Sequence, residues 1–191
     1  MKKEFIDFTQ KNGKASCHYI AVMRPDLDLL PIVIDHVEQC MLKENVSEDD
    51  RVQVQILCEE ILSNALFATA ERNSKGQVIF HSLIEKSKAT IIVLDCGCGM
   101  DKEKIKEYAA INDSIKDPHD QLRRVQRTTH IKKSGKLHRH FRFGKGLKMI
   151  HKISDILEIL YYSHDGFITP HLPAAPKGTL VISTYIYKYK L

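Results

Sequence analysis

The chain has 191 residues, 43% hydrophobic and 28% charged, with a formal net charge of +5. This size and balance fit one globular domain with its own core and exclude a low-complexity or fibrous chain. No apolar run approaches a membrane span, and the opening MKKEFIDFTQKNGK has basic residues but no apolar signal core.

In chain order, residues 1–15 read as a polar lead-in to a single domain over 16–191. Ser16 to Met23 is short and apolar-rich, as a strand requires. Pro25 opens a helical pattern, DLDLLPIVIDHVEQCMLKE, in which Pro31 is tolerable only in the first turn. Ser47 and Asp50 have capping-box spacing and start a central helix that runs to about Arg72. Within it, Leu57, Ile61, Ala65 and Ala68 form an apolar stripe, and Glu60 and Asn64 stand one turn apart beside that stripe. Gln77–Ile84 and Ala89–Asp95 form a predicted hairpin around the turn Glu85–Lys88. Asp101 then caps a short helix, DKEKIKEYAA.

Residues 112–143 follow neither the helix nor the strand period, and a long irregular segment in a compact domain is usually functional. Gly144-Lys145-Gly146-Leu147 opens another helix, GLKMIHKI. Asp155–Tyr162 reads as a strand. A loop with Pro170, Pro173 and Pro176 follows, and Lys177-Gly178-Thr179 leads into a last strand, LVISTYIYKY.

The charge is local. Between His119 and Lys145 stand nine Lys and Arg residues against one acid, Asp120, so the rest of the chain is slightly acidic. Such a segment favours an anionic partner. Nucleic acid is disfavoured, because Phe141 and Phe143 are the segment's only aromatics, a poor stacking set. His138 and His140 lack further ligands at zinc spacing, and Cys96 and Cys98 lack a second cysteine pair. Five cysteines, Cys17, Cys40, Cys58, Cys96 and Cys98, are an odd number without framework spacing. They suggest reduced thiols and a cytoplasmic setting.

Four short pieces carry chemistry. A carboxylate and a carboxamide one turn apart, Glu60 and Asn64, suit a proton and a hard cation together. Asp95 ends a strand, where it can accept from an exocyclic amine, and Gly97 and Gly99 behind it permit a sharp turn and close ligand approach. Gly144 and Gly146 open a helix whose free N–H groups suit phosphate. Gly178 and Thr179 offer close backbone approach and a hydroxyl. The two commonest nucleotide motifs, the phosphate loop and the dinucleotide fingerprint, are not present in this sequence.

In this order, Glu60-x-x-x-Asn64-Ala65, Asp95-x-Gly97-x-Gly99-Met100, Gly144-x-Gly146-Leu147 and Gly178-Thr179 resemble the N box and the three glycine boxes of the GHKL (Bergerat-fold) ATPases. The resemblance spans roughly residues 16–188. It implies an α/β two-layer sandwich, with helices on one face of a mixed, largely antiparallel sheet. It also implies ATP and Mg²⁺ as ligands. Asp95 and Thr179 would bind adenine, Gly97, Gly99 and Met100 would line the base and ribose, and Asn64 would hold Mg²⁺. Gly144, Lys145, Gly146 and Leu147 would hold the phosphates. Residues 112–143 would be the lid, and Glu60 the general base.

A free-standing domain that keeps the glutamate looks most like the anti-sigma-factor serine/threonine kinases. That likeness implies phosphoryl transfer to a partner protein, an antagonist or a sigma-like factor, and leaves a homodimer open. An ATPase that drives a conformational switch, and a regulatory module that binds ATP without turnover, are the alternatives.

Overall fold

The computed structural model describes residues 5–12, 16–72, 75–97 and 145–188. In chain order the elements are β1 (Phe5–Asn12), β2 (Ser16–Met23), a single 3₁₀ turn (Leu27–Leu29), α1 (Leu30–Lys43) and α2 (Glu48–Arg72). There follow β3 (Val78–Glu85), β4 (Lys88–Leu94), α3 (Lys145–Ile153), β5 (Ile156–Ser163), β6 (Ile168–Thr169) and β7 (Pro176–Ile186).

The central helix starts where its cap dictates. Ser47 Oγ accepts from the Asp50 backbone N–H at 3.2 Å and donates to the Asp50 carboxylate at 2.7 Å. Asp50 is fully buried and accepts two further bonds, from the Tyr185 hydroxyl at 2.8 Å and the Lys188 N–H at 3.0 Å. The cap thus also ties the start of α2 to the end of β7. Asn45, at φ 56°, turns the chain between α1 and α2; its short polar side chain makes the left-handed region tolerable.

The strands form one sheet in the order β1-β2-β3-β4-β7-β5-β6. Every pairing among the described residues is antiparallel, so the expected mixed sheet is corrected to an antiparallel one. β4 and β5 are both antiparallel to β7, which lies between them, so those two run parallel to each other without pairing, and the chain between them passes through α3. β2, β3 and β4 alternate strictly between buried and more exposed positions. The buried face, with Tyr19, Phe80, Ile91 and Val181, packs under α1, α2 and α3 in a single core. The opposite face carries Val22, Ile79, Leu94, Leu180 and Leu160 side by side in one register row.

Three expectations change. Residues 5–12, read as lead-in, form β1 and pair with β2 from Phe5–Met23 to Asn12–Ser16. β7 begins at Pro176, so Gly178 and Thr179 lie inside the strand rather than before it. Cys17 and Cys40, expected as reduced thiols, are joined as a disulfide with Cα atoms 5.7 Å apart. An inward position of β2 meets the buried face of α1 there, a meeting that spacing along the chain does not reveal. Cys58 and Cys96 are free. No helix among the described residues is long and apolar enough to cross a membrane.

Candidate functional site

One line of residues on α2 organises the site. Glu60, Asn64, Ala68 and Arg72 follow at intervals of four, so they wind slowly along one side of the helix. The first two face the start of α3, and the last two face the turn after β4. A β carbon on Gly146, in the first turn of α3, would overlap the Glu60 carboxylate oxygen and lie 3.8 Å from Asn64 Nδ2. A β carbon on Gly97 would lie 2.6 Å from the Ala68 methyl. Arg72 donates to the carbonyls of Gly97 and Pro176, joining the turn after β4 to the start of β7.

Glu60 is only 8% exposed, so it is a buried carboxylate rather than a solvated one at a helix edge. Its neighbour Glu59 is buried to the same degree. Asn64 Nδ2 is buried and has no hydrogen-bond partner among the described residues. Carboxylate and carboxamide oxygens are hard donors, the kind that Mg²⁺ takes alongside phosphate.

Asp95 follows the last residue of β4 and is 4% exposed, on the helix-covered side of the sheet. Its carboxylate accepts from the Gly97 N–H at 2.7 Å, and its own N–H donates to the Thr179 carbonyl at 2.9 Å. Burial pushes its pKa up to about 6, against the pull of bonds from Gly97 and Thr179 and the charge of Arg72. Thr179, 3% exposed, lies in β7 beside it. The Cys96 N–H donates to Thr69 Oγ1 at 3.1 Å, which pins the turn to α2 a second time.

Gly178 is glycine for a reason of space. A β carbon there would overlap the Asp95 carbonyl oxygen and the Tyr162 ring. Tyr162 lies across it and donates to the Asp95 carbonyl at 2.8 Å and to Cys96 Sγ at 3.4 Å. Burial, and then the bond to Cys96, hold its hydroxyl well above the usual tyrosine range.

Glu60, Asn64, Asp95, Gly97, Gly146 and Thr179 therefore meet along one side of α2, although 119 positions separate the first from the last. Leu147 packs between the main core and the Ile159–Tyr161 pair. Gly99, Met100, Gly144, the short helix after Asp101 and the basic segment 112–143 lie outside the described residues, as does the side chain of Lys145. Sequence reading missed Thr69, Arg72 and Tyr162. Arg72 was within reach of it, being two further steps along the spacing of Glu60 and Asn64. No protein-family model and no curated protein matches this chain.

Proposed function

We propose that this chain binds Mg-ATP beside α2, and that it is a serine/threonine protein kinase of the GHKL type, acting on a partner protein. The observation that supports this most is the meeting of four short motifs on the line Glu60–Asn64–Ala68–Arg72. Motifs that share only turn-forming roles would have no reason to converge there.

In this reading Asp95 accepts a hydrogen bond from the adenine amino group, and Thr179 supports that carboxylate through its hydroxyl. Gly97 and Gly146 let the turn after β4 and the start of α3 lie directly against α2, where a side chain would overlap Ala68 or Glu60, and so bring their backbone to the ligand. Asn64 would hold Mg²⁺, which when bound neutralises phosphate charge. Phosphoryl transfer asks the protein mainly for positioning, charge neutralisation and a base near the attacking hydroxyl. Glu60, one turn before Asn64, is that base and takes the proton of a serine or threonine hydroxyl.

Titration calorimetry with ATP and GTP, with and without Mg²⁺, tests the binding half. Adenine nucleotide should bind, with Mg²⁺ strengthening it. Asp95→Ala should lose most of the affinity, because an unpaired buried amine costs more than the bond alone. Equal affinities for ATP and GTP would remove the assignment of Asp95.

A further inference from the structure

Two histidines stand together on the sheet face opposite the described helices. In the β2–β3 ladder His18 pairs with Leu83 and His81 pairs with Ile20, so the two histidines are diagonal neighbours on one face. Diagonal neighbours lie about 7–8 Å apart along the backbone, which leaves two imidazoles room to converge on a point between them. These two converge. His81 Nε2 and His18 Nδ1 lie 3.4 Å apart, with ring centroids at 5.6 Å and ring planes 24° from parallel. Both side chains are partly exposed, so the point they face is within reach of small solutes.

The ladder holds the pair in place. It runs without a break from Ser16–Glu85 to Met23–Val78, and both histidines are interior to it. Side chains carried on strands keep their geometry better than those on loops. Further along the same face, Glu85 and Lys88 neutralise each other at 3.2 Å and add no net repulsion toward a cation.

We infer that His18 and His81 form a zinc site, made of two neutral imidazoles and completed by water. Zinc takes imidazole nitrogen at about 2.0–2.1 Å in tetrahedral geometry, and two such bonds set their nitrogens about 3.4 Å apart. That is the separation of this pair. A square-planar ion, with neighbouring ligands at about 90°, needs the nitrogens closer. Mg²⁺ and Ca²⁺ are hard cations that take oxygen, so the pair does not suit the ion proposed at Asn64. Among the described residues no third His, Cys, Asp or Glu joins the two. They therefore supply two ligands, and two positions fall to water or to a small donor from solution.

Binding moves one hydrogen. In the metal-free chain one of the facing nitrogens carries a hydrogen and the other accepts it. For zinc both must present a lone pair. The donating ring shifts its hydrogen to its other nitrogen, so both rings bind neutral and no net proton is released. Two metal bonds replace one hydrogen bond, and β2 is joined to β3 through side chains as well as backbone. The inference is independent of nucleotide binding.

Nuclear magnetic resonance of the full chain tests it, with zinc chloride added at mildly alkaline pH, where imidazole is neutral. The ring signals of His18 and His81 should move together at micromolar zinc, before those of the other histidines. Losing a group that merely supports a ligand costs about 10–100-fold in metal affinity, so losing a ligand should cost at least as much. By calorimetry, His18→Ala or His81→Ala alone should therefore raise the zinc dissociation constant about ten-fold or more. The double variant should be no weaker than either single one, a non-additivity that marks one shared ion. His164 is exposed in the turn between β5 and β6, and His164→Ala should change nothing. Zinc that moves other histidines first, that reaches the pair only at millimolar concentration, or whose losses in the two single variants simply add would overturn the inference. If an alanine variant lacks the wild-type melting transition, the order of signals in the wild type decides alone.

Discussion

Gly146 and Glu60 lie so close that a single methyl group on the glycine would overlap the glutamate's carboxylate. The start of α3 and the middle of α2 are therefore fitted to each other through backbone on one side and a buried acid on the other. Gly146→Ala forces one of them to move. Overpacking of this kind costs ~1–3 kcal/mol. The expected outcome is a fall in ATP affinity of about ten-fold or more, together with a lower melting temperature, read by calorimetry on the same samples.

If Asp95 holds the adenine amino group as proposed, ATP binding should depend on pH. Its pKa in the folded protein is pushed up to about 6 by burial. A donor amine favours the carboxylate over the acid, so ATP affinity should rise as pH increases from about 5 to 7. Asp95→Asn should flatten that profile. Stability runs the other way. A carboxyl whose folded pKa exceeds its unfolded value favours the fold below the unfolded pKa, and this contribution is lost as pH rises through about 6. Denaturant titrations at pH 4 and pH 7, wild type against Asp95→Asn, should show this opposite slope.

His81 gives a separate titration on the face of the sheet opposite the described helices. Burial and then the neighbouring His18 lower its pKa. A histidine with a depressed folded pKa contributes stability that is present above the unfolded value and is lost as pH falls through the folded one. Nuclear magnetic resonance titration of the imidazole should show His81 below the ordinary histidine range, and His18→Ala should raise it. A His81 pKa unchanged by that substitution would mean burial acts alone.

Cys17 and Cys40 close a loop of 23 residues between β2 and α1. Chain-entropy arguments assign such a loop about 3 kcal/mol. Reductant, or Cys17→Ser with Cys40→Ser, should lower the melting temperature by several degrees. Thiol labelling under denaturing conditions should find Cys17 and Cys40 protected without reductant and reactive after it, while Cys58 and Cys96 label in both.

The order of elements was legible because local rules agreed with the fold. The Ser47–Asp50 cap, Pro31 in a first turn and alternation in β3 and β4 each mark an element without help from the rest of the chain. β1 was not legible: FIDFTQKN lacks clean alternation, and pairing with β2 supplies what its own pattern does not. The antiparallel sense of every pairing depends on how distant strands meet, which no local pattern encodes. At the site, Glu60, Asn64, Asp95 and Thr179 could be named from residue type and spacing. Tyr162 could not, since its role rests on the space left by Gly178, a residue 16 positions away in the chain and beside it in the sheet.

The kinase reading turns on Glu60, and one comparison addresses it most directly: consumption of ATP by wild type, Glu60→Gln and Glu59→Gln, with and without serine- or threonine-bearing acceptor proteins. Both glutamates are buried on α2, but they point about 100° apart around it. Glu60→Gln keeps size and hydrogen bonding yet cannot take a proton. It should leave ATP affinity within a few-fold and cut turnover by about 10²–10⁴, the usual worth of a positioned base. Glu59→Gln should keep most of the turnover. Turnover that survives Glu60→Gln, or that is lost with Glu59→Gln instead, would contradict the assignment of the base; tight ATP binding with no turnover in the wild type would leave a nucleotide-binding regulatory module in place of a kinase.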